Sequence, residues 1–406
     1  MEAKLLGAGI HCLSADDPRG GLFEGIWPIP DGYSVNAYAI RGEKLALIDL
    51  FRDQASAPDH FDLGLASIGL KFSDVDYLIL NHLEPNHSGW LGEFHALYPA
   101  AKIVSTAKGC ALINSFYKFN DGLIQVKDGD ELDLGAGRTL KFFETPNLHW
   151  PETMMTWDQA TGTLFSCDAF GSFGALGGRL FDDEFDEDEH AFFEGESLRY
   201  FSNIIASYSM FVEKAARRLE SLDIKAIAPS HGIVWRRDPR RVIERYARFA
   251  SYAKGPAEKR VAVIWGSMYG STEAGVRAVI RGIEDEGVPY SSTRVPDEDI
   301  SWALAEAWRS SGLVIAMPTY EYGMFPPVAY ALDVFRRKRV HGKKALRIGS
   351  WGWSPVGAQK EYDAVVAGMK WENAEPYEWA GAPGKEDLAI LRERGRALAR
   401  AVLAGE

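Results

Sequence analysis

From Val261 onward the chain alternates continuous apolar runs with amphipathic segments, a pattern that few folds accept. VAVIWGS reads as a buried strand, and EAGVRAVIRGIEDEG after it reads as a helix ending in glycine. GLVIAMP (312–318), PVAYALDVFRRKR (327–339), ALRIGSWGW (345–353) and DLAILRERGRALARAVLAG (387–405) continue as strand, helix, strand and helix. Apolar strands alternating with helices predict an open, doubly wound parallel α/β sheet of flavodoxin size.

The part before it follows a different rule. LALIDL (45–50), YLIL (77–80), KIVS (102–105), LKFFET (140–145), TLFSCD (163–168) and KAIAPSHG (225–232) read as short strands separated by turn-rich loops. Two helical patterns close this half, FVEKAARRLESL (211–222) and RRVIERYARFASYA (240–253). The second is opened by Asp238-Pro239, an N-cap and a first-turn proline. KGPAEKR (254–260) is short, charged and broken by Gly-Pro, and reads as a linker. Two domains are therefore expected, 1–254 and 255–406, as suits a chain of 406 residues.

The net charge of −12 argues against nucleic acid and anionic membrane as partners. No apolar run approaches membrane-spanning length, and the N-terminal MEAKLLGAGIHCLSADD lacks the pattern of a signal peptide. Cys12, Cys110 and Cys167 are far apart and form no CxxC pair, which argues against a disulfide framework, an iron–sulfur cluster and a rubredoxin-like knot. A cytoplasmic protein is expected. The acidic run FDDEFDEDEH (181–190) is read as a solvated loop in preference to a docking patch or lid.

LNHLEPNHSGW (80–90) places His82, Glu84 and His87 directly after an apolar run. His82 and Glu84 are two apart and leave one face of an extended segment, whereas His87 needs a turn at Pro85 to rejoin them. His149 in ETPNLHWPE, Asp168 in LFSCDAFG and His231 in APSHG occupy the same kind of position. Any one of them alone is more often a hydrogen-bonded structural residue or a helix cap. Together they form an imidazole and carboxylate set suited to iron, manganese or zinc, with the carboxylates leaning towards iron or manganese.

The segment Gly266-Ser267-Met268-Tyr269-Gly270-Ser271-Thr272-Glu273 lies between a strand and a helix. Hydroxyls and backbone N–H groups at a helix N-terminus suit a phosphate monoester. The segment carries neither a dinucleotide-binding glycine pattern nor a Walker lysine. MPTYEYGMFPP (317–327) and GSWGWSPVG (349–357) follow the next two strands and converge on the same crevice. Tyr320, Trp351 and Trp353 there could flank a planar ring, or simply pack the sheet edge.

Taken together, the 80–90 loop, HWPETMMTW (149–157), LFSCDAFG (164–171), SHGIVW (230–235) and the three later loops resemble the flavodiiron proteins over nearly the whole chain. The resemblance implies a metallo-β-lactamase-like αββα sandwich followed by a flavodoxin-like domain, with FMN and two non-haem iron ions as cofactors. It implies that His82, Glu84, His149 and bridging Asp168 hold one iron, and that His87, His231 and the same Asp168 hold the other. It further implies that Ser267, Met268, Tyr269, Gly270, Ser271, Thr272, Pro318, Thr319, Tyr320, Gly323, Ser350, Trp351, Gly352 and Trp353 bind FMN.

Glu84 sets this branch apart from the zinc hydrolases of the fold, which mostly carry histidine there. The expected activity is reduction of dioxygen to water or of nitric oxide to nitrous oxide, by an oxidoreductase that passes electrons through FMN to the iron pair. A separate donor is implied, such as a rubredoxin-like protein, a flavin reductase or a reduced deazaflavin. A head-to-tail homodimer or a dimer of dimers is implied as well. Two positions depart from the family pattern. Pro355 stands where glycine usually follows Trp-Ser. Asn86 stands where an aspartate ligand is usual, and a neutral amide oxygen there should hold the second iron less tightly. An FMN electron carrier with a depleted or altered metal site is the alternative that Asn86 raises.

Overall fold

The computed structural model describes residues 2–51 and 57–405, in two compact units. One comprises Met1–Phe201 with Met210–Ala247, the other Ser202–Ser209 with Arg248–Glu406.

The first unit is built on two sheets. A seven-stranded sheet runs in the order Lys4–Gly7, Ile10–Asp17, Tyr33–Arg41, Leu45–Ile48, Tyr77–Ile79, Lys102–Thr106 and Leu123–Val126. A five-stranded sheet runs in the order Glu131–Asp133, Thr139–Glu144, Met154–Asp158, Thr163–Cys167 and Ala226–Pro229. Buried side chains tie the two sheets together. The Tyr38 hydroxyl donates to the Pro229 carbonyl at 2.6 Å, and its ring lies 5.0 Å from that of Phe165. Asn36 Nδ2 donates to the Pro229 and Gly232 carbonyls, and Thr156 Oγ1 donates to Asn81 Oδ1 at 2.7 Å. Buried amides and hydroxyls satisfied across the seam fix its register as well as its stability. Helices such as Ala107–Tyr117, capped by Thr106 accepting from Gly109 N, and Glu187–Tyr200 complete the αββα class.

In the second unit the parallel strands lie in the order Tyr290–Arg294, Glu258–Trp265, Ser310–Tyr320 and Lys344–Trp351. Glu372–Asn373 and Tyr377–Ala380 both pair with Lys344–Trp351. This is the flavodoxin-like order 2-1-3-4-5. Val263, Val314, Leu346 and Ile348 are fully buried beneath the helices Ser271–Asp285 and Lys385–Ala404. Their burial on both faces explains the continuous apolar runs. The helices approach closely because Gly282 and Gly395 have no side chain: a Cβ on Gly395 would overlap the Val279 carbonyl.

Two expectations change here. The acidic run is not a solvated loop: its carboxylates terminate and cap local structure. Asp182 is buried and accepts from the backbone N–H groups of Arg236, Arg237 and Asp238. Asp186 caps the helix Glu187–Tyr200 by accepting from Glu189 N, while Asp183 pairs with Arg236 and Glu187 with Arg241. The charged 254–260 segment is also shorter as a linker, because Glu258 already begins a strand.

One buried cation in the second unit makes stability depend on pH. Lys343 is 2% exposed and donates to the Trp308 carbonyl at 2.7 Å. Burial pulls its ammonium down to about 7 from an ordinary 10.5, with Glu258 opposing the shift. The unfolded chain therefore binds an extra proton between about pH 7 and 10.5, and stability rises with pH across that window. Lys343→Met should flatten the dependence and raise stability near pH 7 by about 2 kcal/mol, once the lost hydrogen bond is subtracted. Urea unfolding followed at several pH values reads both effects.

Candidate metal centre and cofactor cavity

Six of the side chains singled out in the sequence meet at one edge of the first unit. His82 and Glu84 follow the strand Tyr77–Ile79, and the helical turn Pro85–Ser88, begun by its proline, brings His87 back to them. Asp168 follows the strand Thr163–Cys167, whose last residue has a φ of +56° and turns the chain inward. His231 follows Ala226–Pro229 and precedes Gly232, whose φ of +80° and contact with Ser172 leave no room for a Cβ. His149 comes from the loop before Met154–Asp158.

Their spacing is that of ligands around shared centres. Asp168 Oδ2 lies 3.2 Å from His149 Nε2 and 3.5 Å from His82 Nε2. Glu84 Oε2 lies 3.3 Å from His149 Nε2 and 3.4 Å from His82 Nε2. Asp168 Oδ1 lies 3.0 Å from His87 Nε2 and 3.5 Å from His231 Nε2. Donors about 2.1 Å from one ion stand roughly 3 Å apart, so these are the edges of two coordination polyhedra sharing Asp168. His82 Nε2, Glu84 Oε2, His87 Nε2, His149 Nε2 and both Asp168 oxygens are buried, and none makes a hydrogen bond. Orphaned polar atoms that converge in this way are costly unless a cation satisfies them, so the residues fit a metal pair.

The outer ring nitrogens are held by residues that the sequence reading did not single out. His82 Nδ1 meets Glu152 Oε1 at 2.7 Å, and the same oxygen accepts from Leu83 N. His87 Nδ1 lies 3.4 Å from Asp49 Oδ2, which also accepts from Ser230 Oγ at 2.9 Å. His231 Nδ1 faces the Ser34 carbonyl at 2.8 Å. Each partner fixes a ring so that Nε2 points inward. The available signal was faint: Glu152 is the acid of HWPE, three residues beyond His149, and Asp49 is the one charged residue of the motif LALIDL.

Charges inside the cluster are strongly coupled. Burial alone would lower His87 and His149, but the neighbouring carboxylates, Asp168 foremost, push both up to about 10. His82 is raised in the same sense by Glu152 and Glu84 against its burial. Burial would raise the Asp168 carboxyl, yet His87 and His149 hold it well below the ordinary range. His231 behaves differently: burial pulls it down to about 4, so it is a neutral donor.

A cavity of about 250 Å³ opens beside these donors, lined by Leu22, Phe23, Tyr33, Glu84 and Asn86 among others. The Phe23 and Phe51 rings stand edge-on to His231 at 5.6 and 5.9 Å. The Tyr200 hydroxyl is buried without a partner, and burial followed by the Asp168 carboxylate pushes it well above its usual value.

In the second unit a cavity of about 220 Å³ lies at the carboxyl ends of the strands. Ser267, Met268, Tyr269, Ser271, Thr272, Pro318, Thr319, Ser350, Trp351, Gly352, Trp353 and Gly381 line it. Eleven of the fourteen residues named from the sequence meet there, and Gly381 had not been named. Gly270, Tyr320 and Gly323 are not in the lining. Gly270, with a φ of +90°, begins the helix Ser271–Asp285 and donates its N–H to Ser267 Oγ at 3.0 Å. Thr319 Oγ1 is buried and unpartnered, and Thr272 Oγ1 meets Ser350 Oγ at 2.9 Å. Tyr269 and Trp353 are 95% and 73% exposed, large rings at the mouth of the cavity. Hydroxyls at a helix N-terminus beside open aromatic faces fit a phosphorylated flavin.

Residues 40–232 match the family described as ODP family beta lactamase. An anaerobic nitric oxide reductase flavorubredoxin of Pectobacterium carotovorum is 34% identical over 91% of this chain and 72% of its own length. The rubredoxin oxygen:oxidoreductase of Desulfovibrio gigas superposes with a TM-score of 0.92 at 27% identity, over 99% of both chains. The flavodiiron protein of Giardia intestinalis gives 0.93 at 26% identity, over 100% of this chain and 97% of the other. With the donor set, the two folds and this similarity in agreement, the chain belongs to the flavodiiron protein family.

Proposed function

We propose that this chain is an oxidoreductase that reduces dioxygen to water or nitric oxide to nitrous oxide, using electrons delivered through FMN to a non-haem di-iron centre. The observation that carries the reading is the convergence of buried, unpartnered donor atoms on both sides of Asp168. His82, Glu84, His149 and Asp168 Oδ2 would hold one iron. His87, His231 and Asp168 Oδ1 would hold the other, with the Asn86 amide beside His231. When bound, the iron pair supplies one-electron redox steps and open coordination positions, and the flavin stores electrons from the donor.

The protein's own part is to orient the ligands, to wall one side of the site and to leave an approach beside it. Glu152, Asp49 and the Ser34 carbonyl keep the imidazoles aimed. Phe23, Phe51 and Tyr33 wall the His231 side, and the adjacent cavity of about 250 Å³ gives a diatomic molecule an approach to the site. Tyr200 packs its ring 6.1 Å from that of His231, and its buried, unpartnered hydroxyl keeps its proton and would be a hydrogen-bond donor there. Ser267, Thr272, Thr319 and the N-terminus of Ser271–Asp285 would take the FMN phosphate, with Tyr269, Trp351 and Trp353 beside the ring.

The donor is a separate redox protein or coenzyme: a rubredoxin-like protein, a flavin reductase or a reduced deazaflavin. Exposed aromatics around the flavin cavity support a head-to-tail homodimer, in which each flavin serves the partner's metal centre. A cytoplasmic setting fits the three buried, unpaired cysteines. Among the described residues no helix is long and apolar enough to cross a membrane.

Turnover of the iron-loaded, FMN-loaded chain with a reduced donor, supplied with nitric oxide without air or with a measured amount of dioxygen, tests the reading. Consumption of nitric oxide or dioxygen supports it, and a fully loaded chain that consumes neither refutes it. Ser267→Ala and Thr272→Val should each weaken FMN binding about tenfold, read by flavin fluorescence on release, because each removes a hydrogen bond to a charged group.

A further inference from the structure

The two donor groups share Asp168 but differ in charge. The first contains two imidazoles with the carboxylates of Glu84 and Asp168. The second contains the imidazoles of His87 and His231 with Asp168 as its carboxylate. Asp49, the other buried carboxylate at His87, is held on the outer side by Asn81 N at 3.1 Å and Ser230 Oγ at 2.9 Å. Asn86 brings a neutral amide to this group: its Oδ1 is buried and has no hydrogen-bond partner, and its Nδ2 is the atom that stands next to His231 Nε2.

The amide also has a donor face. His231 Nδ1 stands against the Ser34 carbonyl, so that nitrogen carries the hydrogen and Nε2 presents a lone pair. Asn86 Nδ2 is 3.5 Å from that lone pair. In the metal-free chain the amide N–H therefore competes for the atom an ion needs, and a carboxylate at this position could not do so. For a hard divalent ion, affinity follows the count of charged oxygen ligands.

We propose that Asn86 makes the two metal positions unequal, so that the Glu84 side fills first and the His87–His231 side holds a loosely bound, exchangeable ion. The inference rests on the di-iron reading and adds an order of filling to it. The second ion is the one lost on dilution or chelation, and the redox-competent pair exists only where ferrous iron is plentiful.

The test uses the full chain with FMN bound, stripped of metal and titrated anaerobically with Fe²⁺ alone by calorimetry. Iron is then counted after desalting. The expected result is two steps separated by at least about tenfold, with one iron per chain surviving desalting. Asn86→Asp should tighten the weaker step by about tenfold or more, leave the tighter step in place and retain both irons. Glu84→Gln, which removes a charge from the other side, should bring the two steps together. Two equal tight steps in the unaltered chain, or an Asn86→Asp chain whose weaker step has not moved, would overturn the inference and leave the di-iron reading standing. A chain that binds no iron in any form would sink both.

Discussion

Asp168→Ala should strip the protein of both irons while leaving FMN in place, and gas reduction should fall by about three orders of magnitude or more. The effect is large because one carboxylate serves both positions. Its two oxygens lie 3.0 to 3.5 Å from four histidine nitrogens, and among the described residues no other side chain belongs to both groups. Removing it also takes away the largest of the carboxylate influences that push His87 and His149 upward, leaving Asp49 and Glu84 beside them. Elemental analysis and the flavin spectrum together separate this outcome from simple unfolding: the spectrum of bound FMN should be unchanged. An Asp168→Ala chain that kept its iron would show that the metals lie elsewhere.

Glu152→Gln should weaken the first iron by about ten- to a hundredfold without touching FMN affinity. Glu152 is buried, and its Oε1 holds both the His82 ring and the Leu83 backbone N–H. A neutral amide can still accept those contacts through its oxygen, so the fold should survive. What is lost is the negative charge that raises the basicity of His82. Asp49→Asn should act in the same way on the second iron through His87 and Ser230. Competition with a chelator of known affinity reads each effect. A Glu152→Gln chain that binds its first iron as tightly as the unaltered chain would show that the ring is held by packing alone.

These two variants also mark where the sequence was informative. Side chains that meet the metals announce themselves, because each follows an apolar strand and the residue types suit only a few chemistries. His82, Glu84, His87, His149, Asp168 and His231 were legible for that reason, and so was the parallel sheet behind the flavin cavity. Residues that act on those side chains were not. Glu152, Asp49 and Ser34 are ordinary polar residues in sequence, and only the packing of the two sheets brings them to the imidazole nitrogens. Tyr200 lies inside a helix and carries no periodic mark of its role. Gly381 reaches the flavin cavity through an edge strand that pairs far along the chain. The acidic run was misread because charge density alone does not reveal that Asp182 and Asp186 face backbone N–H groups. Helices such as Ala107–Tyr117 and Ile300–Arg309 went unnoticed beside the stronger strand pattern.

Reoxidation of the reduced flavin measures the link between the two cofactors directly. The full chain is loaded with FMN, photoreduced without oxygen, and mixed with nitric oxide in iron-loaded and iron-free forms while flavin absorbance is followed. A flavin that passes its electrons to a di-iron centre should be reoxidised at least about a hundredfold faster when the iron is present, with nitrous oxide as product. Equal rates with and without iron, or a loaded protein whose flavin stays reduced under both nitric oxide and dioxygen, would contradict the account.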